Sequence, residues 1–197
     1  ARKENELESA RQELGSFGTC ESIVADLSTV EGAQELARKV SDRVDRLDVL
    51  VNNAGASWGA PIDGYPESGW DKVMSLNVRA IQYLTSACLP LLRSAATEES
   101  PARVINIGSV DGLEAPQTES YAYSASKAAV HHLTRHHARR LASEHILVNA
   151  IAPGLFASNM TAFVMENPDL VEQVTSGIPV PRAGFPEEIG GAAVYLA

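Results

Sequence analysis

Apolar and polar positions along the chain alternate between a helical spacing and short β-rich runs. Residues 4 to 14 are rich in Glu, Leu, Ala and Arg and stop at Gly15, which predicts a helix with a glycine end signal. Glu21 to Leu27 is a short strand-like run, after which Ser28 or Thr29 can cap a helix with Leu36, Val40 and Val44 on its apolar face. Leu47 to Val51 is almost continuously apolar, the signature of a strand covered on both faces, and it runs into Asn52-Asn53-Ala54-Gly55. A loop carrying Trp58, Gly59, Pro61, Gly64 and Pro66 leads into a long helical pattern over 67–94, with a kink or restart expected at Pro90. Arg103 to Ile107 is a second buried strand ending at Gly108-Ser109. The pattern then predicts a helix over 121–143 and a strand over 146–151 stopped by Pro153-Gly154. Short helices and loops fill 155–185, and a last helix opens behind Pro186.

Strands that alternate with helices predict a doubly wound parallel α/β sheet of Rossmann-like type in a single domain, residues 1–197. Ligands of such sheets bind at the carboxyl ends of the strands, which places Asp26, Asn53, Ser109 and Pro153-Gly154 along one edge. Composition changes this picture little: 45% of residues are apolar and 21% charged, ordinary for a globular chain. The net charge of −9 argues against nucleic acid or an anionic membrane surface as the main partner. No apolar run reaches the ~18 residues of a membrane span. Cys20 and Cys88 read as free thiols of a reducing, cytoplasmic compartment. The sequence starts at Ala1 without Met and stops inside a helical pattern, so both ends are expected to be cut.

The chemistry concentrates between 109 and 127. Tyr123 and Lys127 lie one helical turn apart on one face, and an ammonium there is expected to favour the phenolate and so sharpen the phenol as an acid. Ser109, across a loop, can offer a hydroxyl to the same point. Tyr121, six residues before Lys127, faces elsewhere on the helix. An acid, a group that tunes it and a hydroxyl donor suit reduction of a ketone, provided a carrier brings the hydride. His131, His132, His136 and His137 invite a metal reading, but no nearby Glu or Cys completes a ligand set, and no metal is expected.

Asn52-Asn53-Ala54-Gly55, Asn77 in Leu76-Asn77-Val78, Ser109, Tyr123-x-x-x-Lys127 and Pro153-Gly154 together resemble the short-chain dehydrogenase/reductase family, in its order and over almost the whole chain. Within it the chain resembles the NADPH-dependent 3-oxoacyl-thioester reductases. The stretches Trp58 to Asp71 and His131 to Arg135 resemble the branch that includes the rhamnolipid-pathway reductase. The resemblance implies that Tyr123 donates the proton, Lys127 tunes it and holds the nicotinamide ribose, and Ser109 binds the carbonyl. It implies that Asn77 distorts its helix and holds a water. It assigns Asp26 and Leu27 to the adenine, Asn53, Ala54 and Gly55 to close backbone approach, and Phe156 and Ser158 to the nicotinamide and pyrophosphate. Arg2 is placed where it can pair with the 2′-phosphate of NADP(H), which favours NADP(H) over NAD(H). The family's first strand, glycine-rich loop and last strand are not in the sequence, and residues 1–197 alone are expected to bind cofactor poorly. The resemblance implies that the long helices over 67–94 and 121–143 form the faces of a homodimer or homotetramer. The substrate is expected to be a 3-oxoacyl thioester. The alternatives are another ketone or alcohol (polyketide, quinone, sugar or steroid) or a non-catalytic NADP-binding role.

Overall fold

The computed structural model describes residues 2–116 and 118–197. Eleven labelled elements serve here: α1 (Glu4–Leu14), α2 (Val30–Ser41), β1 (Val49–Asn52), α3 (Glu67–Met74), α4 (Ala80–Ala95), β2 (Ala102–Ile107), α5 (Tyr121–Leu141), β3 (Ile146–Ile151), α6 (Ala162–Met165), α7 (Pro168–Thr175) and α8 (Pro186–Leu196). The strands form a parallel sheet in the order β1-β2-β3, with Asn52 opposite Asn106 and Ile107 opposite Ile151. Parallel neighbours require long crossovers, and α4 and α5 supply them.

One continuous core joins these layers. Ala33 and Ala37 of α2, Leu84, Cys88 and Leu92 of α4, Val104 of β2, Leu141 of α5 and Val148 of β3 are all buried in it. Ile105 points to the opposite side of β2 and is equally buried, and α8 lies against β2 and β3. Helices therefore cover the sheet in the manner the alternation predicts, a Rossmann-like α/β fold. Among the described residues no helix is long and apolar enough to cross a membrane.

Four local expectations need correction. Residues 21–26 form no strand, because a strand needs a ladder partner and the described residues offer them none. For the same reason β1 is not covered on both faces: its free edge leaves Val51 46% exposed. The long helix does not break at Pro90, which sits inside α4. Pro90 is exposed, as is Ser86, whose carbonyl would have accepted the missing N–H, so solvent can take that bond. The irregularity lies earlier, in a π-helical turn over Ser75–Arg79 between α3 and α4. The helix predicted to Ser143 ends as α5 at Leu141, followed by a 3-10 turn and His145 at a left-handed φ of 55°.

Candidate active site

The site is built where β2 ends. Beyond Ile107 the chain stays tied to the strand beside it: the Gly108 N–H donates to Ile151 O at 2.7 Å and the Val110 N–H to Pro153 O at 3.1 Å. Ser109 between them is extended and buried, and its hydroxyl accepts from the Asp111 N–H at 3.2 Å, capping a short 3-10 turn. Gly112 closes that turn against α5. A Cβ there would lie 2.5 Å from the backbone carbon of Lys127, so only glycine allows this approach.

Helix α5 presents Tyr123 and Lys127 to this segment. The Lys127 ammonium is buried, donates to Ile107 O at 2.7 Å, and lies 5.5 Å from the centre of the Tyr123 ring. Burial without a carboxylate partner pushes Lys127 down to about 8. The Tyr123 phenol is not lowered as expected. Burial raises it, the Ser109 hydroxyl beside it pulls the other way, and the Asp111 carboxylate raises it further. Desolvation outweighs the neighbouring ammonium here, so Tyr123 keeps its proton across neutral pH. Asp111 itself is raised by burial. Tyr121 does face away: its ring meets Tyr65 edge-on at 5.7 Å.

Asn77 occupies the π-helical turn and is 1% exposed. Its Oδ1 accepts from the Ala56 N–H at 2.8 Å, and its Nδ2 donates to Ala56 O and to the Ser126 hydroxyl, both at 2.9 Å. Both amide hydrogens are thus committed, and the side chain's remaining capacity is one lone pair on Oδ1. Asn77 pins the turn after β1 to α5. That turn carries Asn53 and Ala54, both exposed, and Gly55, where a Cβ would sit 3.5 Å from Asn77 Oδ1 and 3.9 Å from Lys127 Nζ.

The other expected cofactor residues line the same sheet edge and its flanks. Asp26 accepts from the Ser28 N–H and hydroxyl at 3.0 and 2.7 Å, which holds its carboxyl below the usual carboxylate range. Leu27 follows it, half-buried, and packs against the core. Arg2 reaches Asp26 at 3.8 Å, so two residues expected to touch the cofactor separately form one exposed ion pair. Phe156 bridges to Gly184, and Ser158 bonds Thr161 at 3.0 Å in an exposed loop.

A buried amide relay escapes the sequence reading. Asn52 donates to Thr85 at 3.1 Å and to Asn106 at 2.8 Å, and Asn106 donates to Thr134 at 2.9 Å, linking α4, β1, β2 and α5. Two asparagines in register inside apolar strands are the signal that could have found it. The histidines are parcelled out separately: His131 meets Ser109 O, His137 meets Gln82, and the described residues hold no group of three potential metal ligands. A cavity of about 550 Å³ lies between α1, α2 and residues 22–24 and contains none of Ser109, Tyr123 and Lys127. Geometry, not volume, marks the site.

A buried lysine beside a tyrosine one turn away, a serine at the neighbouring strand end and an asparagine in a π-turn define a short-chain dehydrogenase/reductase. The chain belongs to that family: a family model described as enoyl-(acyl carrier protein) reductase matches residues 1–197. Among relatives, the rhamnolipids biosynthesis 3-oxoacyl-(acyl-carrier-protein) reductase of Pseudomonas aeruginosa is 50% identical over 184 residues, 93% of this chain and 72% of the relative. The 2-dehydro-3-deoxy-D-gluconate 5-dehydrogenase of Dickeya dadantii is 33% identical, over 89% of this chain and 68% of the relative. The structure of an NADP active-site complex of Pseudomonas aeruginosa RhlG superposes with a TM-score of 0.96 at 47% identity, covering 100% of this chain and 77% of that one.

Proposed function

We propose that the protein reduces a 3-oxoacyl thioester to the 3-hydroxyacyl thioester with NADPH, Tyr123 supplying the proton. The observation that carries this reading is the meeting of Ser109, Tyr123 and Lys127 at the end of β2, with the phenol protonated and the ammonium dry. The relative at 50% identity, named for 3-oxoacyl reduction, and the NADP complex that superposes at 0.96 support substrate and cofactor. The family model's description names an enoyl substrate instead. In a 3-oxoacyl chain the oxygen sits on the carbon that takes the hydride, within reach of one serine and one tyrosine. In an enoyl chain that carbon bears no oxygen, and paired hydroxyls have nothing to hold there.

The residues fit the cofactor. Asn53 and Ala54 leave backbone open at the end of β1, and a Cβ on Gly154 would meet nothing within 4 Å. Lys127 spends one of its three N–H donors on Ile107 O, which leaves donors for ribose hydroxyls. When bound, the nicotinamide supplies the hydride. The chain's own residues do the rest. The Ser109 hydroxyl holds the ketone oxygen, Tyr123 transfers its phenolic proton to that oxygen, and Lys127 stabilises the phenolate left behind. Asn77 keeps the 53–56 turn against α5. Arg2, Asp26, Leu27, Phe156 and Ser158 complete the cofactor-binding set of this reading. Exposed Met160 and Phe163 offer apolar surface for an acyl chain. Assembly of two or four copies through α4 and α5, and a cytoplasmic setting in keeping with the free thiols Cys20 and Cys88, belong to the same proposal.

The test is NADPH oxidation with an acetoacetyl thioester. Tyr123→Phe removes only the acid and is expected to lower kcat by about 10²- to 10⁴-fold. Equal turnover by that variant would sink the mechanism. Turnover of a keto sugar acid, with none of the thioester, would sink the substrate.

A further inference from the structure

We propose that His131 is a positioning residue that sets the direction of the Ser109 hydroxyl by holding the Ser109 carbonyl. His131 lies on α5 one turn beyond Lys127 and two beyond Tyr123, so all three share a face. Its Nε2 is 2.9 Å from Ser109 O. A carbonyl oxygen only accepts, so Nε2 carries the hydrogen and donates. The ring also has a socket made for it: a Cβ on Gly108 would fall 2.3 Å from His131 Cε1. Lys127 meanwhile holds the carbonyl of Ile107 at 2.7 Å. Helix α5 therefore grips the end of β2 at two carbonyls, those flanking Gly108, with one donor from each of two successive turns. On the other edge, Gly108 and Val110 donate to Ile151 and Pro153 of the neighbouring strand end. The Ser109 carbonyl and the Val110 N–H belong to one peptide unit, so that unit is held from both sides, by His131 and by Pro153, and the hydroxyl stays beside Tyr123. Removing the His131 donor leaves that unit tied only through the Val110 N–H, which loosens it and lets the hydroxyl swing while leaving Tyr123, Lys127 and the cofactor edge in place.

The inference rests on the proposed reaction only for its kinetic readout. His131→Leu is expected to lower kcat for the acetoacetyl thioester about tenfold, with KM, NADPH affinity and melting temperature little changed. His131→Gln, which restores an N–H donor, is expected to recover most of that loss. Equal losses in the two variants, or losses that follow the melting temperature, would mean a packing role and overturn the proposal. So would an unchanged kcat in His131→Leu. A second arm needs no turnover: ¹⁵N NMR of the imidazoles in the wild-type protein is expected to show a protonated, pyrrole-type Nε2 at His131 and a signal that moves in Gly108→Ala. A pyridine-type Nε2 would overturn the contact itself. If the wild-type protein reduces no thioester, the reaction fails separately, and this arm still decides whether His131 grips Ser109.

Discussion

Lys127 carries a charge that the fold holds at a cost. The residue is 6% exposed, and burial takes its ammonium from 10.5 to about 8. The sign follows from proton counts. Below the folded value both folded and unfolded chains hold the proton, and the burial cost is constant. Between about 8 and the unfolded value the unfolded chain holds more protons, so stability gains with rising pH. Comparing wild type with Lys127→Met isolates this effect. The stability difference is expected to shift in favour of wild type by roughly 3 kcal/mol between pH 7 and pH 10.5, as denaturant unfolding at several pH values would show. A flat difference would mean that the ammonium is solvated. Asp111 acts on the phenol instead. Its carboxylate raises Tyr123, so Asp111→Asn is expected to move the alkaline limb of the reduction rate to lower pH. An unmoved limb would remove Asp111 from the electrostatics of the site. Tyr123, Lys127 and Ser109 were readable because helical spacing alone sets two of them side by side. The direction of the Tyr123 shift was not, because a sequence does not state how dry a site is.

Between residue and fold, the turn at Ser75–Arg79 shows how an element can serve a site. A π-turn gives up regular hydrogen bonding, and buried Asn77 inside it bonds across to Ala56 and Ser126 instead. Asn77→Ala would leave the Ala56 N–H and carbonyl unpaired beside an empty space. It is expected to destabilise the protein by about 2–4 kcal/mol and to free the 53–56 turn, visible as faster amide exchange at Ala56 in the variant. Unchanged exchange at Ala56 would show that the turn holds itself. The sequence carried Asn77 as a motif and placed a distortion in its helix, yet also put a kink or restart at Pro90. Pro90 is harmless because its exposed position lets water satisfy the freed carbonyl, a matter of which way the helix faces. The start of α2 was legible for a different reason: Thr29 accepts from the Gly32 N–H at 3.0 Å, a contact local enough to be written in four residues.

At the scale of the whole molecule, the sequence foresaw a parallel sheet with its chemistry at the carboxyl ends, because alternation and buried β-rich runs survive without knowledge of pairing. It misjudged residues 21–26 and the covering of Val51 because both depend on which strands lie alongside. The relay from Thr85 through Asn52 and Asn106 to Thr134 was invisible for the same reason, being a property of register between strands. Global charge carries the last prediction. At −9 the protein repels a polyanion, so a dinucleotide with an extra phosphate needs local cations at its binding edge. Arg2 is 72% exposed at the side chain and only loosely engaged, 3.8 Å from Asp26, so its guanidinium is free to turn toward a 2′-phosphate. One charge-assisted hydrogen bond of about 1.5–3 kcal/mol corresponds to roughly ten- to hundredfold in affinity. Arg2→Ala is therefore expected to raise KM for NADPH by about tenfold or more at low salt and to leave KM for NADH unchanged, with the NADPH effect fading as salt is added. A loss equal for both cofactors would place Arg2 away from the phosphate. No change for either would leave Arg2 as the surface partner of Asp26 alone, and cofactor selectivity would then have to come from other cations at this edge.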